Sequence, residues 1–377
     1  MRNFRFYKEL NIILNDPKLL ITLPLALLIM PVVISIRKII LIRFGLIHSD
    51  RIGHFAANTE LYLCHKKNDR NNPRIKIDLL YFPTKPCNNF LAKIIKRKTK
   101  ILPKYIIRPF CLISRNFKFL NLHIAGRPPM SDHDIHNYYE KFKNQLNLNH
   151  YEIKTGNEII RKVNPKNKPI ILLTIRDAKY LQEKTKSNNF AYHNHRDDEI
   201  ERYKILVNHM IKKGFFVIRM GKIVKKKLKI NNVNFLDYPF SKLRSDFMDI
   251  FLAHKCFLCI SNVTGYDAVP TIFRKPMLFF GSIPIGFMLT SSKKFINTTY
   301  DHYSIKYNRK LTLEEIFKFG LDCKFKATDF KKLKIKLVKF KPELMVKIFN
   351  DSLIYINKDF KINNSMKNIN TIFKIKY

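Results

Sequence analysis

The sequence predicts an α/β protein with two Rossmann-like domains behind an N-terminal hydrophobic segment. Short apolar runs alternate with stretches of helical periodicity over residues 39–150, and again over residues 169–280. Glycine and small polar residues follow several of these runs, as they do where a strand leads into a helix. Strands interleaved with helices form parallel sheets, and such sheets bind ligands at the carboxyl ends of their strands.

The composition indicates a folded protein with a strong positive charge. Of its 377 residues, 46% are hydrophobic and 13% aromatic, which is enough for two domains with their own cores. Lys and Arg number 71 against 29 Asp and Glu, a formal net charge of +42. The basic residues are scattered, Asn, Ile, Phe and Tyr are also abundant, and Trp is absent, a pattern typical of A/T-rich coding sequence. We expect phosphorylated substrates or anionic lipids as partners, and no nucleic acid.

Residues 1–38 are predicted to associate with a membrane. No charged residue occurs from Leu19 to Ile36, and a helix of this length extends about 27 Å, barely the thickness of a bilayer core. Pro24 and Pro31 would kink such a helix. Basic residues flank both ends, so charge gives no orientation. We expect an anchor, monotopic or a single span, at the cytoplasmic face of the inner membrane; a buried core helix is the alternative.

Residues 39–160 form the predicted N-terminal domain. The turn after its first strand contains Arg51, Gly53 and His54. Glycine lets a substrate approach the backbone, and a histidine beside it is suited to accept a proton from a hydroxyl, although a histidine in a turn can also cap or pack on the helix. The other elements predicted here are strands at 39–47 and 75–82, and helices at 55–64, 90–96 and 131–145.

Residues 161–320 form the predicted C-terminal domain, after a linker over residues 157–168 that is rich in Lys and Asn. The remaining residues, 321–377, are predicted to be a helical extension. The strands expected in this part of the chain are 169–175, 215–219, 234–238, 256–261 and 277–280, and the main helices are 197–213, 244–253 and two that begin near 312 and 342.

The segment 256–276 is the most informative part of the second domain. It combines a buried strand, a short polar turn and a helix that begins near Tyr266. The N-terminus of a helix presents free backbone N–H groups and the positive end of a dipole, so the turn is predicted to bind a phosphate or diphosphate. The polar residues of this turn are Ser261, Asn262, Thr264 and Gly265.

Two arginines end strands of the same domain. Arg176 directly follows an apolar run, and Arg219 ends the next strand, two residues before Gly221. A planar guanidinium at this edge of a parallel sheet matches a diphosphate. The alternatives are a surface pair of Arg176 with Asp177, and a Gly221 that only serves the turn.

The candidate metal motifs fit metal binding poorly, and no metal or cofactor is expected. Cys256 and Cys259 stand three apart on a strand, so their thiols point to opposite faces and are predicted to be buried. Residues 192–198 contain two histidines and two aspartates without helical spacing, and Arg196 among them could reach the ligand. The D-x-D motif at 132–134 stands at a predicted helix start instead of a strand end.

Together and in this order, the motifs resemble those of bacterial glycosyltransferases of the GT-B type, whose substrates are poorly defined. The resemblance covers about residues 39–320. The matching stretches are Arg51-Ile-Gly-His54, Glu60-Leu-Tyr-Leu63, Ile175-Arg-Asp177, Tyr180-Leu181, Tyr192-His-Asn-His-Arg196, and residues 215–221, 244–249, 265–270 and 274–276.

The resemblance implies a metal-independent enzyme that binds a nucleotide-sugar donor in the C-terminal domain and a glycan or lipid-linked acceptor against the N-terminal one. By position, the turn 261–265 would hold the diphosphate. Arg176 and Arg219 would neutralise the leaving group. Asp267 would bind a sugar or ribose hydroxyl, and His54 would be the base of an inverting reaction.

One departure from the family pattern concerns Val263 and Thr264, which stand where related enzymes resemble Ser-Gly. Two other functions stay open beside the transferase. One is a nucleotide-sugar epimerase, which also uses two such domains. The other is a basic protein that binds membrane surfaces or nucleic acid.

Overall fold

The computed structural model describes residues 15–69, 75–126, 133–177, 179, 196–324 and 326–359. The chain divides into two compact units, one of Met1–Asp132 with Gln145–Asn147 and the other of His133–Asn144 with Leu148–Tyr377. Each unit contains a parallel sheet flanked by helices. The predicted α/β class is therefore confirmed.

The first unit has a small parallel sheet in the order β1-β2-β3. Its core combines apolar residues of the strands, such as Phe44 and Tyr81, with one face of two helices. The elements are α1 (Pro17–Ser35), β1 (Ile40–Leu46), α2 (Ile52–Asn68), β2 (Ile75–Tyr81), α3 (Asn89–Lys98), β3 (Lys100–Ile101) and α4 (Lys104–Asn116). The strands and helices predicted over residues 39–96 are present, whereas α4 was not predicted.

The second unit contains a six-stranded sheet, all of whose paired strands are parallel. Its helices are α5 (Tyr138–Lys141), α6 (His150–Arg161), α7 (Lys204–Lys212), α8 (Asp246–Lys255) and α9 (Ala268–Ile272). Its strands are β4 (Ile170–Thr174), β5 (Phe216–Arg219), β6 (Phe235–Asp237), β7 (Leu258–Ser261), β8 (Met277–Phe279) and β9 (Phe295–Asn297). The sheet order is β6-β5-β4-β7-β8-β9.

The C-terminal part of the chain completes the second unit. It adds β10 (Asp301–Ser304), β11 (Arg309–Lys310), α10 (Leu313–Lys318), α11 (Ala327–Lys332), β12 (Ile335–Val338) and α12 (Pro342–Asn357). Strands β11, β10 and β12 form an antiparallel sheet. Met345 and Phe349 of α12 belong to the buried core that contains Ile171 and Leu258. The part predicted as a helical extension therefore supplies both a sheet strand and core side chains.

The linker predicted at 157–168 is wrong over its first residues, since α6 continues to Arg161. Asn149 and Glu152 form a reciprocal capping box at its start. A Cβ on Gly156 would lie 2.2 Å from the Phe251 ring of α8, so the two helices pack closely there. The structure accordingly groups α6 with the second unit, whereas the prediction placed the boundary after it.

The long helix predicted over 131–145 is also wrong within the described residues. Only α5, of four residues, occurs there, after Asn137 with a left-handed φ of 55°. Asp134 accepts a hydrogen bond from the backbone N–H of Tyr139, 2.8 Å away, and so supports this turn. Ser131, the predicted cap, lies outside the described residues.

Candidate functional site at the strand-order reversal

The order of the six-stranded sheet reverses between β4 and β7. Strands β5 and β6 follow on one side of β4, and β8 and β9 follow on the other side of β7. In an open parallel sheet the connections then diverge, which leaves a crevice at the carboxyl ends of the two central strands. The segments that follow β4 and β7 are therefore where a ligand of this unit is expected.

Asn262, which directly follows β7, links these two segments. Its Oδ1 accepts a hydrogen bond from the backbone N–H of Arg176 at 2.7 Å, and its Nδ2 donates to the carbonyl of Arg196 at 3.1 Å. The residue is 2% exposed. Asn262 thus holds the chain after β4 in place beside the turn after β7. The sequence placed Asn262 in the turn but did not indicate this bridging role.

Arg176 lies at the edge of this region with its side chain 15% exposed. Its Nε donates to Asp197 Oδ1 at 3.0 Å. The alternative pair with Asp177 does not form, because the carboxylate of Asp177 accepts the backbone N–H groups of Lys179 and Lys225. Burial raises the pKa of Asp197, and Arg176 opposes that shift. Arg176 thus pairs with Asp197, which the sequence predicted only as the first residue of a helix.

Asp198, the residue that follows Asp197, holds this segment against the chain after β4. Its backbone N–H donates to the carbonyl of Arg176 at 3.0 Å. Its carboxylate is 2% exposed and lies 3.2 Å from both Arg202 Nε and Lys339 Nζ. The backbone N–H of Arg176 donates to Asn262, and its carbonyl accepts from Asp198. These two hydrogen bonds limit the motion of Arg176.

The turn after β7 uses some of its own backbone donors. Ser261 Oγ accepts the N–H of Val263 at 3.0 Å, and Asp267 Oδ2 accepts the N–H of Thr264 at 2.7 Å. The prediction that these N–H groups are free is thus wrong for Val263 and Thr264. Gly265 and Tyr266, the first residues of the short helical turn, have no described hydrogen bond from their N–H groups, as expected for the first turn of a helix.

Asp267 closes this turn from the inside. Its carboxylate accepts hydrogen bonds from the hydroxyls of Thr264 at 2.8 Å and of Thr174 at 3.1 Å. The residue is 3% exposed, and burial raises its pKa to about 6 even though hydrogen bonds from Ser261 and Thr264 favour the ionised form. Thr174 ends β4 and Thr264 follows β7. Asp267 therefore joins the two central strand ends, and its side chain faces the protein interior.

Val263 adopts a backbone conformation that is unfavourable for its side chain. Its φ is +65°, in the left-handed region. A β-branched residue is a genuine outlier there, and such outliers are concentrated at ligand-binding and catalytic sites. The departure from the family pattern at Val263 thus falls on a position whose backbone suits glycine.

Arg219, at the end of β5, is buried in the fold. It is 1% exposed, and its Nη1 donates to the carbonyl of Lys226 at 2.5 Å and lies 3.3 Å from Asp237 Oδ1. Gly221 has a φ of +153°, and a Cβ there would lie 2.6 Å from Val224. Both residues thus shape the loop that follows β5. Their part in donor binding stays a prediction.

His54 lies in the first turn of α2, within the first unit. Its ring centroid is 6.1 Å from that of His48. Its Nδ1 is buried, and no hydrogen-bond partner for it occurs among the described residues. His54 therefore has a nitrogen that is not committed to the described fold, and its role as a base stays a prediction.

The metal motifs give no site in the described part of the chain. No group of three or more His, Cys, Asp or Glu side chains comes together there. Residues 192–195 and Asp132, which belong to two of the motifs, lie outside the described residues. Cys256 and Cys259 are buried as predicted, and burial raises the pKa of the Cys256 thiol to about 12.

Comparison with known proteins gives similarity to solved structures alone. No protein-family model matches the sequence, and no curated protein matches it significantly. The ADP-heptose lipopolysaccharide heptosyltransferase II of E. coli is 10% identical with a TM-score of 0.44, over 84% of this chain and 100% of that one. A family 9 glycosyl transferase of Veillonella parvula is 11% identical with a TM-score of 0.44, over 83% and 98% of the two chains.

A third similar structure is described as a UDP-N-acetylglucosamine 2-epimerase of Listeria monocytogenes. It is 8% identical with a TM-score of 0.30, over 85% of this chain and 98% of that one.

Proposed function

We propose that this protein is a glycosyltransferase whose second unit binds a nucleotide-sugar donor at the carboxyl ends of β4 and β7. The observation that carries the proposal is the reversal of strand order at that point, with Arg176 and the turn of Asn262 joined across it. Dinucleotides and nucleotides bind at such reversals in doubly wound sheets. The motif resemblance supplies the reaction class, which the fold alone does not specify.

Arg176 is the residue we assign to the diphosphate. Its Nε is used by Asp197, and its Nη groups have no acceptor among the described residues. A guanidinium held by one edge can present its remaining N–H groups to two phosphate oxygens. In the reaction, the bond from the anomeric carbon to the diphosphate breaks and negative charge develops on the diphosphate. Arg176 would stabilise that charge without a metal ion.

The turn after β7 would complete the donor site. The N–H groups of Gly265 and Tyr266 open a helical turn, where an anion is favoured by both hydrogen bonds and the helix dipole. Thr264 lies between them and β7, half-buried. Asn262 and Asp267 would act as positioning residues, since both are buried and bonded within the protein.

The acceptor hydroxyl would lose its proton as its oxygen bonds to the anomeric carbon. We propose His54 as the base, because its buried Nδ1 has no partner among the described residues. A neutral imidazole can accept this proton near neutral pH. The acceptor we propose is a glycan or a lipid-linked glycan.

Isothermal titration calorimetry with a panel of nucleoside diphosphates and nucleotide-sugars, with and without EDTA, tests the donor site. We expect the wild type to bind at least one of them equally well in EDTA. Arg176→Ala should weaken binding by about ten- to a hundredfold, because one charge-assisted hydrogen bond contributes about 1.5–3 kcal/mol. Arg309→Ala is the matched control, since it removes an equal charge from the exposed pair with Glu315.

Binding that is unchanged in Arg176→Ala would refute the assignment of the diphosphate site. Product analysis without an added acceptor then separates the two enzyme classes. A transferase leaves the donor sugar unaltered apart from slow hydrolysis, whereas an epimerase converts it without any acceptor. Conversion to a second nucleotide-sugar would overturn the transferase proposal.

A further inference from the structure

The helix α1 has a buried face that belongs to the core of the first unit. Leu19, Ala26, Met30 and Val33 are 0–6% exposed. The last three belong to the core cluster of β1, β2 and α4. Asp16, just before the helix, forms a 2.9 Å ion pair with Arg108 of α4. The helix is therefore fixed to the protein from its first turn to its last.

The opposite face of α1 is apolar and uncovered. Ile21, Leu25, Leu28 and Val32 follow the spacing of one helical face and are 77%, 58%, 76% and 61% exposed. We call these four residues the outer face. An isolated exposed leucine needs no explanation, but a continuous stripe along a whole helix marks an interaction surface.

Further exposed apolar residues lie on the elements next to α1. Ile106 on α4 is 54% exposed, and Phe119 and Leu122, in the 3₁₀ turn after α4, are 63% and 55% exposed. Leu120 of that turn is packed in the same core cluster as Met30. The outer face is thus extended by aromatic and aliphatic side chains that the same core supports.

The charge of the first unit indicates which kind of partner the outer face would bind. The described residues from 15 to 126 contain 18 Lys and Arg against 5 Asp and Glu. Four of these five carboxylates are ion-paired, those of Asp16 with Arg108, Asp50 with Arg51, Asp69 with Lys76 and Asp78 with Arg43, and that of Glu60 is buried. Lys18 stands exposed at the start of α1, and Lys38 follows its end. The surface is therefore apolar with a basic border, which suits an anionic lipid bilayer.

We propose that α1 lies in the plane of an anionic membrane, with its outer face inserted and its inner face held by the first unit. The helix Pro17–Lys38 is long and apolar enough to cross a bilayer. A crossing, however, would carry α4 with it, because the two helices share one core. Arg108 and Lys104 of α4 would then enter the hydrocarbon, at a high cost in free energy. An in-plane helix keeps them at the aqueous side.

The absence of Trp from the chain provides a sharp test. Single-Trp variants Ile21→Trp, Leu28→Trp and Val32→Trp of the full chain each give one fluorophore, and Ile354→Trp on α12 is the control. Vesicles of phosphatidylcholine with phosphatidylglycerol would carry bromine at defined acyl-chain depths. We expect equal, shallow quenching at the three α1 positions and none in the control.

Positions 21 and 32 differ by about 16 Å along a helix axis, from a rise of about 1.5 Å per residue. Quenching at three different depths would therefore mean a spanning helix and would overturn the in-plane proposal. No quenching at any of the three positions would overturn membrane insertion altogether.

A second measurement uses charge on the same surface. Leu25→Glu/Leu28→Glu should lower partitioning into the anionic vesicles at least tenfold, whereas Ile205→Glu/Ile354→Glu, exposed on the second unit, should leave it unchanged. Partitioning that resists the first pair would contradict the proposal. The proposal would also be contradicted if the protein sedimented as a dimer that Leu25→Glu/Leu28→Glu dissociates while vesicle binding stays unchanged. The outer face would then bind a second copy of the chain.

Discussion

The side chains that shape the candidate donor site are mostly buried and bonded within the protein. Asn262, Asp267 and Ser261 are 0–3% exposed. Asn262 and Asp267 join the turn after β7 to the chain at the end of β4, and Ser261 accepts the N–H of Val263 within the turn. Arg176 alone of the named site residues combines partial exposure with Nη groups that have no described acceptor. The residues that form the turn and the residue proposed to contact the ligand are therefore different ones.

Asp267 should give the protein a pH-dependent stability. Its pKa is raised from 3.8 to about 6 in the folded protein, chiefly by burial. The folded state therefore binds this proton more tightly than the unfolded chain. The resulting stabilisation is complete below pH 3.8, decreases as the pH rises towards 6, and is lost above that value. A shift of this size corresponds to about 3 kcal/mol.

Urea denaturation of the wild type and of Asp267→Asn at intervals from pH 4 to pH 7 measures this effect. The free energy of unfolding of the wild type minus that of the variant should fall by about 2.4 kcal/mol over the range, because the amide does not titrate. Asp351→Asn, at an exposed position of α12, is the control. A pH-independent difference for Asp267→Asn would contradict the burial argument.

The sequence located the polar turn after β7 but did not indicate its bonding. The polar residues after β7 are visible as a break in an apolar run, and their position at a strand end follows from the α/β pattern. That Thr264 would give its N–H to Asp267 depends on the backbone of Val263, whose φ of +65° no local rule predicts for valine. Asp197 as the partner of Arg176 is likewise a contact between distant segments.

At the scale of elements, the buried strands were the most predictable features. All residues of β4, β5, β7 and β8 are buried, so each is an apolar run in the sequence, with a polar residue only at the last position of β4, β5 and β7. The helices α4 and α6 were not predicted. Lys and Arg residues interrupt the apolar pattern of α4, and Pro109 stands inside it. The Lys and Asn of α6 resemble a linker, and its packing against α8 is a tertiary contact.

The two faces of α1 give a prediction for stability in the absence of membranes. Met30→Ala should lower the free energy of unfolding by about 2–5 kcal/mol, because it leaves a cavity in the first unit. Leu28→Ala, two residues away on the outer face, should change it by less than about 0.5 kcal/mol. Thermal denaturation followed by circular dichroism compares the two variants.

Equal effects of the two substitutions would mean that α1 is not packed as described. For the same reason, deletion of residues 1–38 is a poor test of membrane association. It would also remove Ala26, Met30 and Val33 from the core.

At the scale of the whole molecule, the charge of +42 affects every binding measurement. We expect non-specific DNA binding to fall by about a thousandfold between about 50 mM and about 200 mM salt, because it depends on counterion release. Nucleotide-sugar binding in a half-buried site should fall much less. Fluorescence anisotropy with a labelled duplex, beside calorimetry with the nucleotide-sugar, compares the two dependences.

DNA binding that persists at the higher salt, without affinity for any nucleotide-sugar, would instead favour the basic-protein alternative. The charge in the sequence does not by itself distinguish these partners. Its Lys residues are scattered, and charge alone does not select between phosphate in a nucleotide, a lipid or a nucleic acid. The fold class was predictable from periodicity, whereas the strand order on which the proposed donor site rests required the structure.

The carboxylate of Glu60 on α2 has a practical consequence for dividing this protein. It is fully buried and accepts the backbone N–H groups of Gln145 and Leu146, at 2.8 and 3.0 Å. The chain leaves the first unit at Asp132, returns for these few residues, and leaves again. No single cut therefore yields two intact fragments. A fragment that ends at residue 132 would keep a buried carboxylate that has lost these two backbone donors, so an expression library of truncations should keep residues 133–147 with the first unit.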